Sequence, residues 1–144
     1  ELWVAGEGPD THRLRSLHDG DDRIAWLGRI DEADKLARLR GASVFCAPSL
    51  HGESFGVVLI EAMAAATPVV ASALDGYRNV ATDDVDSVLV PPGDPDALAA
   101  ALRRVLVDPL LADRLVTAGL ARAEHFAMRR LADEYVALYD AIAR

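Results

Sequence analysis

Short, nearly unbroken apolar runs alternate with amphipathic stretches along this chain. The runs LWVAG (2–6), RIAWLG (23–28), SVFCAP (43–48), PVVAS (68–72) and SVLVP (87–91) read as strands. Between them, a polar helix is predicted near 9–18, and DEADKLARLRG (31–41) reads as a second helix with Asp31 as N-cap and Gly41 as its stop. Strands of continuous apolar character separated by helices predict an α/β fold: a parallel sheet with helices on both faces. In such sheets ligands bind outside the carboxyl ends of the strands, so the loops after Gly6, Gly28, Pro48, Ser72 and Pro91 are the ones to watch.

The last third is helical in pattern. In GDPDALAAALRRVL, Asp94 offers a cap and Pro95 the first helical position; a further helix near 110–124 follows Pro109. At the end, Met128, Leu131, Tyr135, Leu138 and Ile142 recur at spacings of three and four, giving one apolar stripe that is expected to cover the core.

The stretch SLHGESFGVVLIEAMAAATPVVAS (49–72) departs from this ordinary patterning. Small, flexible and polar residues open it, and an apolar helix predicted over 55–65 carries a single carboxylate, Glu61. Lying between a strand and a helix, HGESFG belongs at the carboxyl edge of the sheet. The amides near Ser54, Phe55 and Gly56, with the helix dipole behind them, favour an anion, and Gly52 and Gly56 let a ligand come close to the backbone. Glu61 lies five residues beyond Gly56, about 7–8 Å further along the axis. That roughly matches the step from a diphosphate to the ribose of a nucleotide, while Glu53 is placed toward a sugar on the other side. Local grounds leave a plainer reading open: Glu53 favouring the helix start, and Glu61 on a solvent face. Against it, a carboxylate between VVLI and AMAAATPVV needs partners, because burying an unpaired charge costs several kcal/mol.

With 144 residues, about half of them apolar, the chain is sized for one domain with a sizeable core. Its formal charge of −8 argues against general affinity for nucleic acid or anionic lipid, and no apolar run approaches the ~20 residues of a membrane span. Cys46 is alone and reads as a small buried hydrophobe. The histidines at 12, 18, 51 and 125 show no metal-ligand spacing, so no metal site is expected. The chain opens directly inside a strand-like run, without an initiator methionine or signal-like leader, and is expected to be a piece of a longer protein.

GESFGVVLIEAMAAATPVVAS resembles the E-x(7)-E segment of the large retaining glycosyltransferase family with the GT-B fold, with Glu53 and Glu61 as its two glutamates. LWVAGEGPD, IAWLGRI, KLARLRGASVFCAPS and SVLVPPGDPDALAAAL are similar to that family's other blocks, in the same order. Within the family, APSLHGESFGVVLIEAMAAATPVVASALD is especially similar to the actinobacterial phosphatidylinositol mannosyltransferases, which use GDP-mannose.

This resemblance implies that residues 1–144 form a single nucleotide-sugar-binding domain, the carboxy-terminal half of a GT-B enzyme. The amino-terminal acceptor domain and this domain's first strand are expected upstream. Glu53 would act on the transferred sugar as the catalytic position. Ser54, Phe55, Gly56 and Val57 would line the diphosphate and sugar path, Glu61 would hold the ribose, and Ile30, Glu32 and Lys35 would meet the guanine base. Glu32 and Lys35 also suit an ordinary i,i+3 surface ion pair. The implied reaction transfers mannose from GDP-mannose, with retention, to a lipid or other hydroxyl acceptor, phosphatidylinositol first among them. It needs no tightly bound cofactor, and its implied place is cytoplasmic, peripheral at the inner face of the plasma membrane. The arginine and lysine that the family supplies from a loop before this first strand are not found in ELWVAGEG and are expected upstream, so the piece alone is expected to be inactive.

Two departures stand out: Ala66 where the family has glycine, and His51 where a small residue is common. A UDP-sugar-dependent relative and a non-catalytic nucleotide-binding or interaction module are the competing functions. A flavodoxin-like or response-regulator domain would need acidic clusters at strand ends, whereas these end in AG, LG and AP.

Overall fold

The structure, a computed structural model, describes residues 1–142. All five apolar runs form strands: β1 (Leu2–Ala5), β2 (Ile24–Gly28), β3 (Phe45–Ala47), β4 (Val69–Ser72) and β5 (Val88–Val90). Every pairing is parallel, in two sheets, β1-β2 and β3-β4-β5. The chain divides into two compact units, Glu1–Arg38 and Leu39–Arg144.

The first unit holds β1, α1 (Thr11–Leu17), β2 and the start of α2 (Glu32–Gly41). The Asp31 carboxylate accepts from the Asp34 amide at 2.8 Å, the N-cap that its position predicts. Little of this unit is buried. Its two tryptophans instead carry cations over their rings, Arg38 at 5.3 Å from Trp3 and Arg15 at 5.8 Å from Trp26.

In the second unit β4 is buried along its whole length, because both of its faces are covered. Val69 and Ala71 join a core with Leu59, Ala62, Met63 and Tyr77, while Val70 joins Val88, Val90, Ala101, Val105 and Leu115 on the other side. Alternation along one strand thus feeds two cores, as a doubly covered parallel sheet requires. The helices are α3 (Val57–Ala64), α4 (Asp75–Arg78), α5 (Pro95–Val107), α6 (Pro109–His125) and α7 (Met128–Ile142). Asp94 caps α5 through the Ala97 amide at 2.9 Å, with Pro95 at its first turn. Asp108 repeats the device for α6, accepting from Leu111 at 3.0 Å.

Two expectations are corrected, and one element is added. Helix α3 begins at Val57 rather than Phe55, because its N-cap Gly56 sits at φ 98°, a left-handed conformation that cannot continue a helix backward. The turn α4 carries no periodic signal and was not predicted. Finally, α7 has the expected stripe but does not cover the core: none of its residues is buried, with Met128 76% and Ile142 72% exposed. Spacing identifies an apolar face, not what lies against it.

Helix α3 ends in a Schellman arrangement, Thr67 N–H to Ala62 O and Ala66 N–H to Met63 O, both at 3.0 Å. The left-handed position falls on Ala66 at φ 60°, where a Cβ is strained. Ala66→Gly is therefore expected to stabilise the protein by about 1 kcal/mol, net of the greater freedom of glycine when unfolded. Urea unfolding measures it, and an unchanged or lowered midpoint contradicts it.

Candidate functional site

The segment between β3 and α3, Pro48 to Gly56, is irregular backbone, and its shape comes from two glycines and a buried tyrosine rather than from a ladder. Gly56 turns the chain into α3. A Cβ there would lie 2.8 Å from Val80 Cγ2 and 3.0 Å from Tyr77 Cδ1, so both its φ and its surroundings require glycine. Gly56→Ala is expected to destabilise by about 2–4 kcal/mol, combining left-handed strain with overpacking. A loss below about 0.5 kcal/mol on urea unfolding contradicts this close packing.

Helix α3 buries Leu59, Ala62 and Met63 and leaves Val57 and Val58 exposed at its start. Glu61, at i+4 and i+3 from these valines, shares their open face and is half-buried there. The carboxylate in an apolar run is thereby accounted for: the run supplies one packed face, and Glu61 belongs to the other. Leu59 N–H bonds Gly56 O at 3.0 Å, and the Val57 and Val58 amides precede it at the positive end of the helix. Ser54 and Phe55, whose amides were expected at the helix start, lie in the bend before it. Both residues are exposed, and the Phe55 ring meets Phe126 edge-on at 5.7 Å between centroids. Glu53 is half-buried ahead of them. Local sequence therefore brings Glu53, Ser54, Phe55, Gly56, Val57 and Glu61 together around one helix start.

Ile30, Glu32 and Lys35 lie in the first unit, at the end of β2 and in α2. Ile30 is partly buried, and Lys35 Nζ pairs with Glu32 Oε2 at 2.8 Å, the i,i+3 bridge their spacing allows. His51 is exposed in the loop. Cys46 is partly buried, and burial pushes its thiol pKa up, away from a reactive thiolate.

An apolar cleft of about 200 Å³ lies at the carboxyl ends of β3, β4 and β5, lined by Pro48, Leu50, Ser72, Val90, Pro91 and Leu98, where an open α/β sheet places ligands. A wider hollow of about 480 Å³ in the first unit involves Arg15, His18, Asp21 and Trp26. It lies on the segment that enters β2, at the amino end of that strand, so topology favours the smaller one. Among the described residues, no group of three or more histidine, cysteine or acidic side chains is arranged to hold a metal, and no helix is long and apolar enough to cross a membrane.

Sequence reasoning passed over Tyr77. It is 1% exposed, and its hydroxyl lies 3.0 Å from Ser49 Oγ. Only its place after β4, in the loop following Ser72, marked the neighbourhood.

Comparison with known proteins bears on the family and the fold. Residues 1–108 match the family described as glycosyl transferases group 1. The phosphatidyl-myo-inositol mannosyltransferase of Mycobacterium leprae is 44% identical across 99% of this chain and 38% of its own length. A D-inositol 3-phosphate glycosyltransferase of Geodermatophilus obscurus is 46% identical across 72% of the chain and 22% of its own. Among solved structures, sucrose-phosphate synthase from Thermosynechococcus elongatus superposes with a TM-score of 0.85 at 33% identity, covering 98% of this chain and 38% of that one. The chain thus spans well under half the length of the relatives it matches. Family model and fold coincide: this chain belongs to the group 1 glycosyl transferases and has the Rossmann-like architecture of their GT-B structures.

Proposed function

We propose that the chain is the donor-binding half of a retaining mannosyltransferase that takes GDP-mannose and glycosylates phosphatidylinositol or another hydroxyl acceptor. One observation carries the reading: the left-handed Gly56 aims the amino end of α3 outward, with Glu53 just before it and Glu61 on the open face behind it. Amides at a helix start favour a diphosphate, and they favour it more as negative charge develops on the leaving group, an electrostatic task suited to a fixed backbone. Glu61 accepts hydrogen bonds from ribose hydroxyls, Glu53 holds hydroxyls of the transferred sugar, and Ser54, Phe55, Gly56 and Val57 line the path between them. The base contacts of Ile30, Glu32 and Lys35 rest on the family likeness.

The acceptor is argued from relatives whose names place an inositol unit in their substrates. An amino-terminal acceptor domain, the family's basic pair, and a place on the cytoplasmic side at the inner face of the plasma membrane are parts of the same proposal. The donor needs no tightly bound cofactor here. Titration of GDP, UDP and ADP into the full-length polypeptide tests the reading. GDP is expected to bind at least about tenfold tighter, the worth of one base-specific hydrogen bond of ~1.4 kcal/mol. Preference for UDP would select a UDP-sugar enzyme of the same family, and no nucleotide binding at all would select a non-catalytic module.

A further inference from the structure

The loop that carries Glu53 has no secondary structure of its own, so something else must hold it. That support is the short turn α4, which meets the loop at three places. Tyr77, inside the core, reaches Ser49 with its hydroxyl. Gly76 is pressed against the Glu53–Ser54 peptide: a Cβ there would overlap the Glu53 carbonyl oxygen and stand 2.6 Å from its carbon and 3.0 Å from the Ser54 carbonyl carbon. The third is Gly56, closed in by Tyr77 and Val80. The three contacts span the loop from its first residues to its last.

We propose that Tyr77 is a positioning residue for Glu53: its buried hydroxyl, tied to Ser49, and the Gly76 backbone beside the Glu53 peptide hold that carboxylate in place for the transferred sugar. This rests on the reading of Glu53 given above. The Tyr77 and Ser49 hydroxyls share one hydrogen bond, in which either can be the donor. Burial raises the pKa of the Tyr77 hydroxyl, the Ser49 bond opposes that rise, and the negative charge of Glu53 adds to it. The hydroxyl therefore stays protonated through the neutral range. A carboxylate carried on a loop that Tyr77 holds at Ser49 and Gly76 abuts at Glu53 loses little donor affinity but much of its reactive geometry when that hold goes, since small displacements at the reacting centre cost rate.

The test is a double-mutant cycle of Tyr77→Phe and Glu53→Gln in the full-length enzyme, following kcat, donor KM and melting temperature. Tyr77→Phe keeps the ring in the core and is expected to lower kcat about fivefold to tenfold, the worth of one hydrogen bond, with donor KM within about twofold. In the Glu53→Gln background it is expected to remove almost nothing more, because both changes remove one function. Ser49→Ala is expected to give a smaller fall of the same kind. Tyr77→Phe at wild-type kcat while Glu53→Gln is impaired, or a loss of equal size in both backgrounds, would overturn the positioning role. A lowered melting temperature with unchanged kcat would overturn it too, leaving Tyr77 as core alone. Glu53→Gln at full rate would instead remove the Glu53 reading on which the inference stands.

Discussion

Glu53→Gln is expected to lower the turnover of the full-length enzyme by about 10- to 150-fold, the rate equivalent of losing a charge-assisted hydrogen bond of ~1.5–3 kcal/mol. Glutamine keeps the shape of the side chain and one acceptor oxygen but removes the charge. The loop backbone, fixed by Gly56 and by the approach of Gly76, has no reason to move. Nucleotide affinity should therefore remain within a few fold while kcat falls, which is the signature of a contact made chiefly at the reacting sugar. Steady-state kinetics with GDP-mannose, set beside GDP titration, separate the two. An equal loss in affinity and turnover would place Glu53 in donor binding instead.

For Glu61→Ala the opposite split is expected. Nucleotide binding should weaken by about 1–3 kcal/mol, roughly 5- to 150-fold in Kd, because a carboxylate that accepts from ribose hydroxyls is replaced by a methyl group. The packed face of Leu59, Ala62 and Met63 is untouched by the change. Calorimetric titration of GDP reads the effect. Full GDP affinity in the alanine variant would return Glu61 to an ordinary surface role.

The parts of this fold that were legible in the sequence are those fixed by near neighbours. Continuous apolar runs marked all five strands, and β4 shows why most clearly: covered on both faces, it has no polar side to interrupt the run. Asp31, Asp94 and Pro95 announced helix starts because capping joins residues three apart. Within the candidate site, Glu53, Gly56 and Glu61 could be placed together for the same reason: one loop and one helix carry them all. What failed was long-range or conformational. The left-handed Gly56 moved the helix start to Val57, which no pattern of polarity encodes. Four residues of α4 are too few to show a period, so the contact of Tyr77 with Ser49, 28 positions away, had no local trace. The stripe on α7 showed an apolar face without naming what covers it, and among the described residues nothing in this chain buries it.

The central claim is that the amino end of α3 receives the donor diphosphate, with Glu61 on the ribose. A crystal structure of the full-length protein with GDP tests it most directly. The account predicts diphosphate oxygens within hydrogen-bonding distance of amides between Gly56 and Val58, and ribose hydroxyls on the Glu61 carboxylate. A nucleotide seated elsewhere on the protein, with Glu61 out of reach of its ribose, would contradict it.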